Sequence, residues 1–179
     1  MTTAIAMDNA AAGAAQALSR EEFEAFYGRT ASALHAYICR VSGNATLADD
    51  ILQESYIRLL SAPPLEEAQR KSYLYRTATN LITDHRRAQS RRRRWWQLTA
   101  PRPEAEEQSL DVSSDVERLF ALLDPQERAL LWLAYVDGAS HREIADVLRL
   151  KEASIKVLLF RARRKMEKLL RDHGFEGMP

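Results

Sequence analysis

Residues 137–168, DGASHREIADVLRLKEASIKVLLFRARRKMEK, decide how the rest of the chain is read. Ser140 stands at a helix N-cap position and Glu143 follows three residues later, the spacing of a capping box in which each side chain binds the other's backbone N–H. Ile144, Val147 and Leu148 then give the three-and-four spacing of a short amphipathic helix. Arg149-Leu150-Lys151 predicts a turn, with Leu150 pointing inward to pin it. A second helix is predicted from Glu152, with Ile155, Leu158 or Leu159, Ala162, Met166 and Leu169 on its apolar side. It carries Lys156, Arg161, Arg163, Arg164, Lys165 and Lys168. A short helix, a tight turn and a longer basic helix form a helix-turn-helix layout. An ordinary helical hairpin with a solvated basic face fits the same residues, so the flanking sequence must decide.

Immediately upstream, Ser114 with Glu117 predicts another capping box, opening a short helix through Val116, Leu119, Phe120, Leu122 and Leu123. Asp124-Pro125-Gln126-Glu127 is a third start signal: an Asp cap, Pro at the first helical position and Glu at the third. The helix it opens, over 125–136, carries Leu130, Leu131, Leu133, Ala134 and Tyr135 and stops at Asp137-Gly138. A two-helix reading unit cannot bury its apolar side alone, and these two helices supply the missing surface.

Nearer the N-terminus, Ser19 and Glu22 cap a helix whose face is Phe23, Phe26, Tyr27, Leu34, Tyr37, Ile38 and Val41, ending near Gly43. Thr46 with Asp49 marks the start of a second, which carries Ile51, Leu52, Tyr56, Leu59 and Leu60 and is stopped by Pro63-Pro64. Its outer side reads Asp49, Asp50, Gln53, Glu54, Arg58, which suits either the helix dipole or a protein-docking face. A loop over 63–70 leads to a third helix over 71–92, with Tyr73 or Leu74, Thr77 or Ala78, Leu81, Ile82 and His85 on its apolar side. Tyr75, Arg76, Asn80, Asp84, Arg87 and Arg91 fall on its other faces. Aromatics interleaved with Arg and Asn suit single-stranded nucleic acid: rings and guanidinium planes stack on bases, amides read base edges, cations hold phosphates. A core helix with snorkelling arginines fits the composition equally. The run Arg91-Arg92-Arg93-Arg94-Trp95-Trp96 favours the first reading, because adjacent like charges are kept most easily where phosphates neutralise them.

Apolar residues fall at helical spacing nearly throughout the 179 residues, and six Gly and six Pro leave few breaks, so an all-α chain is predicted. It divides into a leader (1–18) expected to be disordered, a helical domain (19–96), an extended acidic linker (97–113), a helix-turn-helix domain (114–172) and a tail (173–179). The net charge of +1 hides two basic blocks, 70–94 and the helix-turn-helix, separated by an acidic tether, and this arrangement points to two polyanion contacts. Cys39 is the single cysteine, which excludes an internal disulfide and a Cys-rich zinc site. The four histidines are scattered, and neither a Gly-rich phosphate loop nor a metal-ligand spacing is present, so no enzyme, metal or cofactor is expected. No apolar run approaches the roughly 20 residues of a membrane span, and the Ala-rich start lacks the basic residues of a signal peptide. Membrane insertion is not expected, and residence in the cytoplasm is.

With all of these landmarks in place, the chain resembles a group 4, extracytoplasmic-function (ECF) sigma factor of the bacterial sigma-70 family. LADDILQESYIRLL (47–60) is similar to the family's region 2.2, and KSYLYRTATNLITDHRR (71–87) to regions 2.3 and 2.4. LLDPQERALLWLAYVDGASHREIADVL (122–148) followed by KEASIKVLLFRARRKM (151–166) is similar to region 4. The resemblance implies promoter-specific initiation by bacterial core RNA polymerase, with the β′ coiled coil, the β flap, promoter DNA and an anti-sigma factor as partners. It assigns Asp49, Asp50, Leu52, Gln53, Glu54 and Arg58 to docking on core polymerase. Tyr73, Arg76, Asn80, Asp84, Arg86 and Arg87 go to the melted minus-ten element, Asn80 foremost for base reading, beside a loop at about 61–72 that would hold a flipped base. Ser154, Lys156, Phe160, Arg161 and Arg164 go to the minus-thirty-five element, where Phe160 would touch a thymine methyl. One departure stands out. The common family form reads roughly G-T-V-K-S-R-L, whereas residues 153–159 here read A-S-I-K-V-L-L, replacing a Ser and an Arg by Val157 and Leu158. That shifts the expected readout from direct base contacts toward DNA shape. A stand-alone helix-turn-helix regulator would leave the first domain unexplained, and a purely protein-binding helical adaptor would show no salt-dependent DNA affinity.

Overall fold

The computed structural model describes residues 18–99 and 115–175; most of the expected leader, linker residues 100–113, Ser114 and residues 176–179 lie outside them. Seven helices make up the described residues: α1 Arg20–Ser42, α2 Thr46–Leu60, α3 Glu67–Thr99, α4 Asp115–Ala121, α5 Pro125–Tyr135, α6 His141–Leu148 and α7 Glu152–Asp172. The all-α expectation holds. Each start is set locally. Ser19, Asp124 and Ser140 all form the reciprocal capping boxes their spacing predicts, and α5 has Pro in its first turn. Gly43 ends α1 in the left-handed conformation at φ 72° and is needed twice over, because a Cβ there would also meet the Arg128 guanidinium at 3.0 Å.

Three boundaries differ from the expectation. Thr46 lies inside α2 instead of capping it; the first-turn amide of Leu47 donates to Asn44 Oδ1 at 3.2 Å, so Asn44 supplies the polar cap. The loop before α3 is also shorter, because α3 begins at Glu67. The amides of Gln69 and Arg70 donate to the Glu66 carbonyl, and Arg70 Nε donates to the Leu65 carbonyl. At its other end α3 continues to Thr99, three residues into the expected linker.

The core explains how the helices assemble. Leu34, Tyr37, Ile38 and Val41 of α1 meet Ile51, Tyr56 and Leu59 of α2 and Leu74, Tyr75, Ala78 and Ile82 of α3. The same cluster continues without a break into Ala129, Leu130 and Leu133 of α5, Ile144 and Val147 of α6, and Ile155 and Leu159 of α7. The two expected domains therefore share one apolar core, with α3 packed on α6 and α1 on α5. Truncating a fully buried member such as Leu34 to Ala would cost about 2–5 kcal/mol. A smaller satellite of Leu123, Leu131 and Ala162, with Phe120, Met166 and Leu169, belongs to the C-terminal helices alone.

Polar contacts tie the halves at the same seam. Asp137, at the α5–α6 turn, accepts from the Tyr75 hydroxyl at 3.2 Å and pairs with Lys71 Nζ at 2.9 Å. Arg40 of α1 pairs with Glu117 of α4. Burial, then the Asp137 carboxylate, push the Tyr75 hydroxyl well above the usual tyrosine value, so it stays a donor. Arg128 is only 5% exposed, and its Nε is the buried side-chain atom without a hydrogen-bond partner among the described residues. Burial, and next the nearby Arg86, pull its pKa down to about 10, against the opposing pull of Asp124. No described helix is long and apolar enough to cross a membrane.

Candidate nucleic-acid interface

Three outward faces carry the residues singled out by the sequence. On α2, Asp49, Asp50, Gln53 and Arg58 are exposed and Glu54 half-buried. Arg58 Nε reaches Glu54 at 2.7 Å, one helical turn away, and Asp49 meets His35 Nε2 at 3.1 Å. Leu52 does not share this face. Two residues from Asp50 is a rotation of about 200°, which turns Leu52 onto the packed side against the core. Ile57 takes its place: it is 57% exposed beside Leu60 on the outward side, an apolar end to an acidic patch. The signal for it was in the sequence, since Ile57 falls out of step with Ile51, Tyr56 and Leu59.

On α3 the residues fall into one stripe. Tyr73, Arg76, Asn80, Asp84 and Arg87 follow one another by steps of three and four, and Arg91 extends the line. The first three are half-buried and the others exposed. The Arg76 guanidinium lies 5.6 Å from the centre of the Tyr73 ring, and the Tyr73 hydroxyl donates to the Arg58 carbonyl at 3.4 Å, which anchors the stripe to the end of α2. Arg87 approaches Asp84 at 3.9 Å. Arg86 stands apart. It is rotated off the stripe on the side facing Arg128 and lines a cleft with Thr83, Ser90 and the Asp124–Gln126 start of α5. Arg87 and Arg91, at the far end of the stripe, border the same cleft. Tyr75 is not on the stripe either: it is 2% exposed, 5.0 Å ring to ring from Tyr37, because α3 is covered by α6 as well as by α1 and α2. His85, expected on the apolar side, is exposed, because α3 is about 50 Å long and past Ile82 it outruns the shorter α1 and α2.

The helix-turn-helix forms as its spacing predicts. Arg149 closes α6 in the left-handed region at φ 54°, its amide donating to the Ala145 carbonyl, and Leu150 is half-buried against the core. Ile155, Leu159 and Ala162 turn inward from α7. Lys156, Phe160, Arg161 and Arg164 stand on its exposed side, and Ser154 is half-buried at the first turn. Lys165 Nζ pairs with Glu127 at 2.6 Å and fixes α7 to α5. The geometry offers a stacking and amide-bearing stripe on one helix and a cationic face on another.

The sigma-70 region 2 family profile matches residues 26–92, and the sigma-70 region 4 profile matches residues 113–166. The ECF RNA polymerase sigma factor SigL of Mycobacterium tuberculosis is 30% identical over 173 residues, covering 92% of this chain and 95% of SigL. The chain belongs to the ECF sigma factors. Within that family, SigE of Mycolicibacterium smegmatis is 28% identical over 146 residues, 76% of this chain, and the match spans 57% of SigE's own length. The fold matches that of the sigma factor RpoE from Bartonella quintana, solved with the anti-sigma factor NepR, at a TM-score of 0.67 and 19% identity, over 84% of this chain and 98% of that one. The sigma factor described here acts in promoter-specific transcription initiation.

Proposed function

We propose that the three faces divide the work of initiation. The acidic face of α2, with Asp49, Asp50, Gln53, Glu54 and the exposed Ile57, docks on the β′ coiled coil of core polymerase. Carboxylates there complement a basic partner and favour orientation and association rate as much as affinity. The α3 stripe holds the unpaired minus-ten strand: Tyr73 and Arg76 stack on bases, Asn80 reads an edge, and Arg87 and Arg91 hold phosphates. The basic face of α7 anchors the minus-thirty-five duplex through Lys156, Arg161 and Arg164. No step requires catalysis by this chain, and it acts where the polymerase is, in the bacterial cytoplasm. The observation that carries the reading is the α3 stripe, where five residues assigned to one DNA strand fall on one helix face.

The closed packing adds a requirement. Elements centred about 25 base pairs apart are roughly 85 Å apart along duplex DNA at about 3.4 Å per pair. Helices sharing one core have axes about 10 Å from their neighbours, so α3 and α7 cannot reach both elements while α6 lies between them. Promoter binding therefore parts the seam at Asp137, and an anti-sigma partner acts by holding the surfaces that the open form exposes. The α2 face is already exposed in the closed form, so polymerase docking precedes opening.

Permanganate footprinting with polymerase holoenzyme tests the assignment. Asn80→Ala is expected to leave closed complexes intact and to lower reactivity of the minus-ten thymines; normal reactivity would remove Asn80 from the site. Asp50→Arg is expected to weaken core binding without altering the thermal midpoint of the free protein. Unchanged affinity for core polymerase would remove the α2 face.

A further inference from the structure

The outward side of α7 is not uniformly basic. Val157 is 50% exposed and Phe160 is 54% exposed, and with Ala153 and Arg164 they form a line with steps of four, three and four residues. Neither side chain serves the core, which α7 meets through Ile155, Leu159 and Ala162. Val157 is not there for helix stability, because a β-branched residue on an open helix face is a poorer helix former than the charged residues around it. Lys156, Arg161 and Arg164 surround this apolar strip, and the Arg163 guanidinium lies 5.9 Å from the centre of the Phe160 ring.

What such a strip can read follows from what the segment lacks. Between Ala153 and Met166 there is no Asn, Gln, Asp or Glu. Adenine is read by paired contacts from Asn or Gln, and cytosine by a carboxylate accepting from its amino group, so neither readout is open to residues 153–166. Glu152, the carboxylate that starts α7, lies about 140° around the helix from Val157 and off this strip. Arginine and lysine remain for guanine or phosphate. The one apolar group that a base pair presents in the major groove is the thymine 5-methyl. We propose that Val157, flanked by Ala153 and Phe160, is a specificity-determining residue that selects thymine in the upstream promoter element by packing on its methyl group. The proposal rests on the reading that α7 enters the major groove, and it replaces shape readout with a direct apolar contact at the position where the chain departs from the common family form.

The test uses the full chain bound to core polymerase and a pool of duplex fragments randomised across the upstream element. From a selected fragment, each thymine in the element is replaced in turn by deoxyuridine, which removes the methyl and nothing else. At one or two positions the closed-complex affinity is expected to fall about fourfold, the effect of leaving one carbon unburied. Val157→Ala, at an exposed position where folding is unaffected, is expected to lose a similar factor and to make the protein indifferent to deoxyuridine at one of those positions. The double change then costs no more than either alone. Arg161→Ala and Arg164→Ala distinguish the two ways of failing. If both leave upstream binding unchanged, α7 is not in the groove and the underlying reading falls. If they weaken binding while every deoxyuridine is silent, or while the Val157→Ala loss adds in full to each, methyl readout alone is overturned. A Val157→Ala loss confined to core-polymerase affinity would overturn it as well, by assigning the strip to a protein.

Discussion

The outward faces of α3 and α7 both carry arginines at helical spacing, yet they are built from different chemistry. The α3 stripe mixes a half-buried ring, an amide, a carboxylate and two cations, with Arg76 already laid over Tyr73. The α7 face has no amide and no acid between Ala153 and Met166, and its centre is apolar and exposed. Stacking surfaces and edge-reading groups are useful only where bases are unpaired. Cations around an apolar strip are suited to an intact duplex, where phosphates line the groove and methyl groups project into it. Charge alone does not distinguish these two surfaces. The groups placed between the charges do.

Substitutions on each face can overturn this contrast. The largest effect is expected from Arg161→Ala with Arg164→Ala, which should weaken closed-complex formation about a hundredfold at physiological salt. It should also flatten the plot of log affinity against log salt by about two, near 0.9 for each phosphate no longer neutralised. Equilibrium binding at several salt concentrations measures both. Tyr73→Leu keeps apolar bulk but removes the ring, and the absence of one base-stacking partner is expected to reduce open complexes about tenfold with the salt slope unchanged. If Tyr73→Leu lowered the slope, or the arginine pair affected opening alone, the two faces would not have separate roles.

Two smaller effects bear on the seam and on α6. Lys71→Ala leaves the shielded Asp137 carboxylate with only the Tyr75 hydroxyl, and is expected to loosen the closed packing by about 1 kcal/mol, Lys71 itself being half exposed. Hydrogen exchange should then rise in α6 but not in the α1–α2 core. Ser140→Ala is expected to cost about 0.5–1 kcal/mol at neutral pH through removal of the cap. The Ser140 hydroxyl, and next its backbone N–H, hold the Glu143 carboxyl below its ordinary value of 4.5. A lowered folded value means that the stabilisation is complete above pH 4.5 and is lost as pH falls through the lowered value. Denaturation at neutral pH and again below the lowered value should therefore show the difference between the two proteins narrowing in acid, while the part due to the Glu143 N–H donating to Ser140 Oγ persists.

Features set within a few residues were legible in the sequence: the caps at Ser19, Asp124 and Ser140, the stop at Gly43, the inward spacing of Ile155 and Ala162 with Leu158 or Leu159 left open between them, and the Arg76, Asn80, Asp84 and Arg87 part of the α3 stripe. Those that depend on distant partners were not. Tyr75 reads as a free ring among arginines until α6 covers it. Leu52 is a different case: its apolar spacing already groups it with Ile51 and Leu59, and only the family resemblance assigns it to docking. The Asn44 cap was hidden behind Thr46, whose spacing to Asp49 mimics a helix start. The shared core was invisible for a related reason. Each half has an apolar face of ordinary size, and periodicity does not say which faces meet.

Run-off transcription with purified core polymerase is the decisive measurement. Genomic fragments are transcribed with and without the full-length chain, and the complex is followed by gel filtration. The expected result is a stable complex with core polymerase and promoter-dependent transcripts that form only when the chain is present. Failure to bind core polymerase, or transcripts identical with and without the chain, would contradict a role in promoter-specific initiation.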